Sequence, residues 1–113
     1  MPNLVTPSTP LMDVERRDVG RRTVLAVTGE VDIASSPELR SALDAALDTG
    51  AHEVWLDLCA TTFMDSSGLH VLLQLQQRAE ALRRRLTIVC PPGNVRRVLD
   101  LTGVVNGLDV RDA

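Results

Sequence analysis

Residues 63–70 read F-M-D-S-S-G-L-H, from Phe63 to His70. An apolar pair leads into one carboxylate, two hydroxyls and a glycine, and a leucine-rich run follows. Asp65, Ser66 and Ser67 are all residue types that cap a helix N-terminus, because a short side-chain oxygen can accept from the free backbone N–H groups there. Gly68 relieves crowding at such a start. The stretch therefore marks a junction between a strand and a helix. A cap needs only one of these polar groups, so the others are open to a chemical role.

The flanking sequence supplies both partners of the junction. Upstream, E-V-W-L-D-L (Glu53 to Leu58) alternates as a core strand, with Cys59 to Met64 as a loop. Downstream, Leu69, Leu72, Leu73, Ala79 and Leu82 recur at helical spacing from Gly68 to about Arg85. Arg83, Arg84 and Arg85 are then placed to complement the negative end of that helix. L-T-I-V-C (Leu86 to Cys90) reads as another core strand, closed by Pro91-Pro92. Asn94 caps a short helix, Val95 to Leu101, with Gly103 as its stop, and Leu108 to Val110 add a last strand.

On the N-terminal side, residues 1–10 hold three prolines and read as a loose tail before a domain spanning 11–113. Val14 to Arg17 form a short edge strand, and Gly20 with Arg21-Arg22 marks a hairpin turn. T-V-L-A-V-T-G (Thr23 to Gly29) suits a strand buried on both faces and stopped by Gly29. Leu39, Ala42, Leu43, Ala46 and Leu47 form one helical stripe ending at Gly50. Its start fits either a Ser35/Glu38 capping box or a Ser36 cap with Pro37 in the first turn. The order is β-β-α-β-α-β-α with a possible final strand. That alternation predicts an α/β fold whose sheet is mostly parallel, with right-handed crossovers and an antiparallel edge.

Bulk properties narrow the function classes. A chain of 113 residues is one domain. Phe63 and Trp55 are the only aromatics, so the core is aliphatic. The net charge of -3 disfavours phosphate-backbone binding, and no direct contact with nucleic acid is expected. No apolar run approaches a membrane span and no signal peptide is evident. Cys59 and Cys90 lack metal-ligand spacing and read as reduced, partly buried thiols of a cytoplasmic protein. No metal or other cofactor is expected.

Three chemistries compete for the polar cluster. A hydrolase elbow needs G-x-S-x-G, but Met64 and Asp65 stand where the first glycine would be, and neither His52 nor His70 has an evident aspartate to orient it. A phosphate-cradling loop needs a lysine, and the chain has none. The third is a serine that accepts a phosphoryl group from a partner. A phosphoserine adds about -1.5 to -2 charges. At a helix N-terminus the dipole offsets that charge by about 0.3–1 kcal/mol. Buried without a counter-ion against a protein partner, it costs several kcal/mol. About 4 kcal/mol is a thousandfold in affinity. One phosphate can therefore abolish a complex and leave the domain folded.

G-E-V-D (Gly29 to Asp32), V-W-L-D-L (Val54 to Leu58), F-M-D-S-S-G-L (Phe63 to Leu69) and V-R-R-V-L-D-L-T-G (Val95 to Gly103) resemble, in order, the motifs of the STAS domain. The likeness covers residues 12 to 110 and is strongest to the stand-alone bacterial anti-sigma-factor antagonists. It implies a mixed sheet of four or five strands with about four helices mainly on one side. It implies a module, not an enzyme, whose unphosphorylated form binds an anti-sigma factor that is also a serine kinase and so frees the sigma factor. The kinase phosphorylates the serine after the motif aspartate, Ser66 here, with Ser67 the less favoured acceptor. A PP2C-type phosphatase reverses the step. Asp32, Asp65, Ser66 and Ser67 form the partner-binding surface, and the protein is a monomer or weak dimer. His70 departs from the small residue the family often carries there. Two alternatives stay open: a STAS module of a regulatory complex not controlled by Ser66 phosphorylation, and a small serine hydrolase using Ser66 or Ser67.

Overall fold

The computed structural model describes residues 11–101 and 107–112. The tail at residues 1–10 and the stop at Gly103 lie outside the described residues. Strand β1 (Met12–Val19) and strand β2 (Arg22–Val31) form an antiparallel hairpin, with Val19 facing Arg22 across Gly20-Arg21. Both run longer than the sequence pattern predicts. Gly29 does not stop β2. It sits inside the strand at φ +94°, and a Cβ there would stand 1.9 Å from the Leu11 carbonyl oxygen. That carbonyl instead accepts the Glu30 N–H at 2.8 Å, so the absent side chain lets β1 begin against β2.

Helix α1 (Ser36–Asp48), strand β3 (Glu53–Met64), helix α2 (Ser66–Ala81), strand β4 (Arg85–Val89), helix α3 (Asn94–Leu101) and strand β5 (Asp109–Arg111) follow. The sheet has five strands in sequential order, and every pairing after the hairpin is parallel. Three helices, not about four, occur among the described residues, one for each connection between parallel strands. α1 lies against β2, α2 against β3 and β4, and α3 against β3. One aliphatic cluster joins them, built from the inward residues of the strands and the stripes of the helices. Leu39, Leu43, Ala46 and Leu47 of α1 are all buried. In α2 the buried set is Leu69, Val71, Leu72, Leu75 and Ala79, whereas Leu73 and Leu82 are exposed. Burial of each such leucine is worth about 1.5–3 kcal/mol.

Among the described residues no helix covers the other face of the sheet. β2 is thus buried on one face only: Val24 and Ala26 are half-buried while Leu25 and Val27 are fully enclosed. On the open face the guanidinium groups of Arg22 and Arg111 lie 4.1 and 5.1 Å from the Trp55 ring centre.

The predicted loop at 59–64 is strand. β3 carries two bulges against β2: Ala26 pairs with Asp57 but Thr28 with Ala60, and Gly29 pairs with Thr61 but Glu30 with Phe63. Each adds one residue, so the buried positions step from Val54, Leu56 and Leu58 to Thr61 and Met64. Side chains serve the backbone groups around the first bulge. The Cys59 N–H donates to Asp57 Oδ1 at 2.9 Å, and the Thr61 hydroxyl donates to the Val27 carbonyl at 2.9 Å in a buried setting. The hydrogen bond with the Asp57 carboxylate, with a smaller contribution from desolvation, pushes the Cys59 thiol up to about 11. Cys59 is exposed rather than partly buried, Cys90 is buried, and both are free thiols.

The arginine run lies beyond α2. The helix closes at Ala81, Arg83 adopts φ +57° in the turn, and Arg85 already belongs to β4. Arg84 donates to the Ala51 carbonyl at 2.5 Å and Arg85 pairs with Glu53 at 3.5 Å, so these two side chains tie the α2–β4 turn to the start of β3.

Candidate functional site

β2 and β3 are parallel neighbours, and their last residues, Val31 and Met64, face each other. Each strand is followed at once by an aspartate, Asp32 and Asp65, and then by a helix. The Asp65 N–H donates to the Val31 carbonyl at 3.2 Å, which fixes one turn beside the other. Carboxyl ends of parallel strands are where open α/β sheets present their binding groups.

Asp65 is the N-cap of α2, in extended conformation, and its Oδ1 accepts the Ser67 N–H at 2.8 Å. Its carbonyl accepts the Leu69 N–H at 3.2 Å. The cap is thus neither Ser66 nor Ser67, which occupy the first two helical positions. Ser66 is exposed and Ser67 half-buried. Among the described residues neither hydroxyl has a hydrogen-bond partner. A carboxylate does the capping, and neither alcohol is needed for it.

Gly68 explains how α2 starts so close to the strands. A Cβ at this position would lie 2.7 Å from Met64 Cγ and 2.9 Å from Val31 Cγ1. Contacts that short cannot persist, so the glycine seats the first turn of α2 directly on the ends of β2 and β3.

Asp32 shapes a longer turn. Its Oδ1 accepts the backbone N–H groups of Ala34 and Ser35, each at 3.0 Å. Ser35 Oγ accepts the Asp32 N–H at 2.9 Å, and its own proton lies between the Glu30 carbonyl at 2.9 Å and Asp32 Oδ1 at 3.2 Å. The Ser35 N–H, then its hydroxyl and the Ala34 N–H, hold the Asp32 carboxyl below the usual aspartate range. Ser35 is the N-cap of α1 by position and makes no side-chain cap bond, while Pro37 stands in the first turn.

Two apolar side chains flank these turns that the sequence reading assigns no role. Ile33, between Asp32 and Ser35, is 79% exposed, and Phe63, next to the end of β3, is 46% exposed. An exposed isoleucine inside a polar turn is the one signal that could have marked the first. His70 is exposed and hydrogen-bonds to neither serine nor any carboxylate among the described residues. Among those residues no group of three His, Cys, Asp or Glu could hold a metal ion, and no helix is long and apolar enough to cross a membrane.

A sequence model of the STAS domain matches residues 12–113. The chain belongs to the STAS domain family. An anti-sigma-B factor antagonist of Staphylococcus epidermidis is 28% identical over 86 residues, covering 76% of this chain and 80% of that protein. An anti-sigma factor antagonist from Mycobacterium paratuberculosis superposes with a TM-score of 0.86 at 24% identity, over 94% of this chain and 91% of the other. The anti-sigma factor antagonist SpoIIAA in its unphosphorylated form gives 0.70 at 25% identity, over 89% of each chain. The STAS fold thus accounts for the mixed sheet and its helix-covered face, and the turns after Val31 and Met64 are its polar pole.

Proposed function

We propose that this STAS domain is an anti-sigma-factor antagonist whose binding is switched at Ser66. The unphosphorylated form docks on an anti-sigma factor that is also a serine kinase, and this releases the sigma factor. The kinase moves the γ-phosphoryl group of ATP to Ser66 Oγ, leaving ADP, and the hydroxyl proton goes to a base of the kinase. A PP2C-type phosphatase hydrolyses the ester and restores the alcohol. The protein is the substrate of both enzymes and supplies no catalytic group. The reading places it in the cytoplasm, acting as a monomer or weak dimer, with no direct contact to nucleic acid.

One observation carries this reading: Ser66 is exposed, has no hydrogen-bond partner among the described residues, and stands next to the aspartate that does the capping. Its modification removes no hydrogen bond to the described residues. Asp32, Asp65, Ser66 and Ser67 then form the polar part of the docking surface, with Ile33 and Phe63 as apolar anchors. A dianion enclosed there without a counter-ion costs several kcal/mol.

The test incubates the protein with its anti-sigma kinase and ATP, locates phosphate by mass spectrometry, and measures affinity before and after. Phosphate on Ser66 with an affinity loss of about a hundredfold or more is expected. Ser66→Ala keeps binding and escapes the kinase. Ser66→Asp, with less charge, weakens binding partially at an unchanged melting temperature. Tight binding by Ser66→Asp and by the phosphorylated protein would instead favour a STAS module not controlled at Ser66.

A further inference from the structure

One basic side chain, His70, stands one helical turn from Ser66, and a second, Arg40, lines the groove next to it; neither takes part in the switch as proposed. His70 follows Ser66 by four residues on α2, so the two are surface neighbours one helical turn apart, and both are exposed. On its other side His70 lines a groove between α1 and α2 of about 420 Å³, together with Ser67, Gln74 and Arg40. Arg40 crosses this groove from α1 and donates to Gln74 Oε1 at 2.5 Å. Its carboxylate partner is Asp44, only at 3.8 Å, and Asp44 is engaged more closely by Arg78. Arg40 is therefore a loosely held cation, and His70 an imidazole with no partner among the described residues.

We propose that His70 and Arg40 form an in-chain receiver for the phosphoryl group on Ser66, a proposal that rests on Ser66 being the modified residue. A phosphomonoester at the first helical position carries about -1.5 to -2 charges and three acceptor oxygens. His70 lies between that position and the groove, and its ring N–H donates to the ester from the i+4 position. Arg40 exchanges its neutral partner Gln74 for a dianion, which makes the stronger, charge-assisted bond. Asp44 on α1, Asp65 at the cap and Asp32 in the neighbouring turn are the opposing carboxylates. The receiver turns the phosphate toward the α1–α2 groove.

The test installs phosphoserine at position 66 by peptide ligation, with no kinase involved, and follows its second ionisation by ³¹P NMR. His70 at helix spacing and Arg40 from across the groove lower that ionisation by about half a pH unit relative to the His70→Gln/Arg40→Gln double variant. His70→Gln alone removes part of the shift. Superimposable curves for the parent and the double variant would overturn the receiver. Both substitutions lie at exposed positions, and melting curves check the fold. Should the variants not fold, the parent decides: the Arg40 Nε resonance moves on phosphorylation if the receiver forms, and an unmoved resonance overturns it. If the receiver forms but no anti-sigma kinase modifies Ser66, the switch fails and the receiver stands.

Discussion

The turns after β2 and β3 start alike and end differently. Both leave a parallel strand through an aspartate, and both enter a helix through a pair of serines. After β2, the helix waits until Ser36, and the intervening residues fold onto the aspartate, using the Ser35 hydroxyl as both donor and acceptor. After β3, the helix begins at once, Asp65 caps it alone, and the Ser66 and Ser67 hydroxyls bond to nothing among the described residues. The first turn spends its serine on structure. The second leaves both serine hydroxyls unspent among the described residues, and the residue that permits so short a turn is Gly68.

Gly68 gives the largest expected effect. Gly68→Val puts a branched side chain where even a Cβ comes within 3 Å of Met64 and Val31. Overpacking of this kind costs about 1–3 kcal/mol, or roughly 5–15 °C in melting temperature for a domain of this size. α2 must then move off the strand ends, so binding of the anti-sigma factor falls with stability. A Gly68→Val protein that melts like the parent would mean that α2 is not pressed onto β2 and β3.

The fold was legible where burial alone decides the pattern, and the errors have identifiable causes. The stripe from Leu39 to Leu47 and the alternation from Glu53 to Leu58 each match one buried face. Beyond Leu58 the buried positions shift from every second to every third residue, because two bulges insert Cys59 and Thr62 into the register. A period-two search therefore loses the strand, although Asp57 and Thr61, whose side chains serve those backbone groups, stand in plain view. The apolar pattern puts Leu73 and Leu82 in the helical stripe of α2 because apolar identity does not reveal which face a residue takes; Val71 and Leu75 are buried instead. At the site, the composition of D-S-S pointed to a helix start but could not choose its cap. That choice depends on where the Asp65 carboxylate sits relative to the Ser67 N–H, which is fixed by the packing of α2 on β3.

A matched pair of serine deletions measures the contrast between the turns directly. Ser35→Ala leaves the Asp32 N–H and the Glu30 carbonyl without their side-chain partner in a partly buried turn, at a cost of about 1–2 kcal/mol. Ser66→Ala removes a hydroxyl that bonds to nothing among the described residues, and stays within about 0.5 kcal/mol of the parent. Chemical denaturation of the two variants reads both numbers. Equal losses would show that Ser66 also has a structural duty, and its availability to a kinase would then carry a stability cost.

The smallest effect is in pH. Asp32 is held below the aspartate value of 3.8 by the Ser35 N–H and hydroxyl and the Ala34 N–H. Asp18 is held below it by the Thr23 hydroxyl and Arg16. A carboxyl with a lowered folded pKa binds its proton more readily in the unfolded chain. The stability it adds is therefore complete above the unfolded value and is lost as pH falls through the folded one. The melting temperature should hold from pH 6 to about 4 and decline below that. Ser35→Ala deletes only the hydroxyl share of the support for Asp32, so its deficit against the parent narrows as Asp32 protonates. It does not vanish, because the Ser35 bonds to the Asp32 N–H and the Glu30 carbonyl do not titrate. Thr23→Val narrows in the same way through Asp18. Ser66→Ala touches no carboxylate and should track the parent at every pH. A Ser35→Ala deficit that stays constant through the acid range would mean that the hydroxyl serves the backbone alone, and that Asp32 holds its turn through N–H groups only.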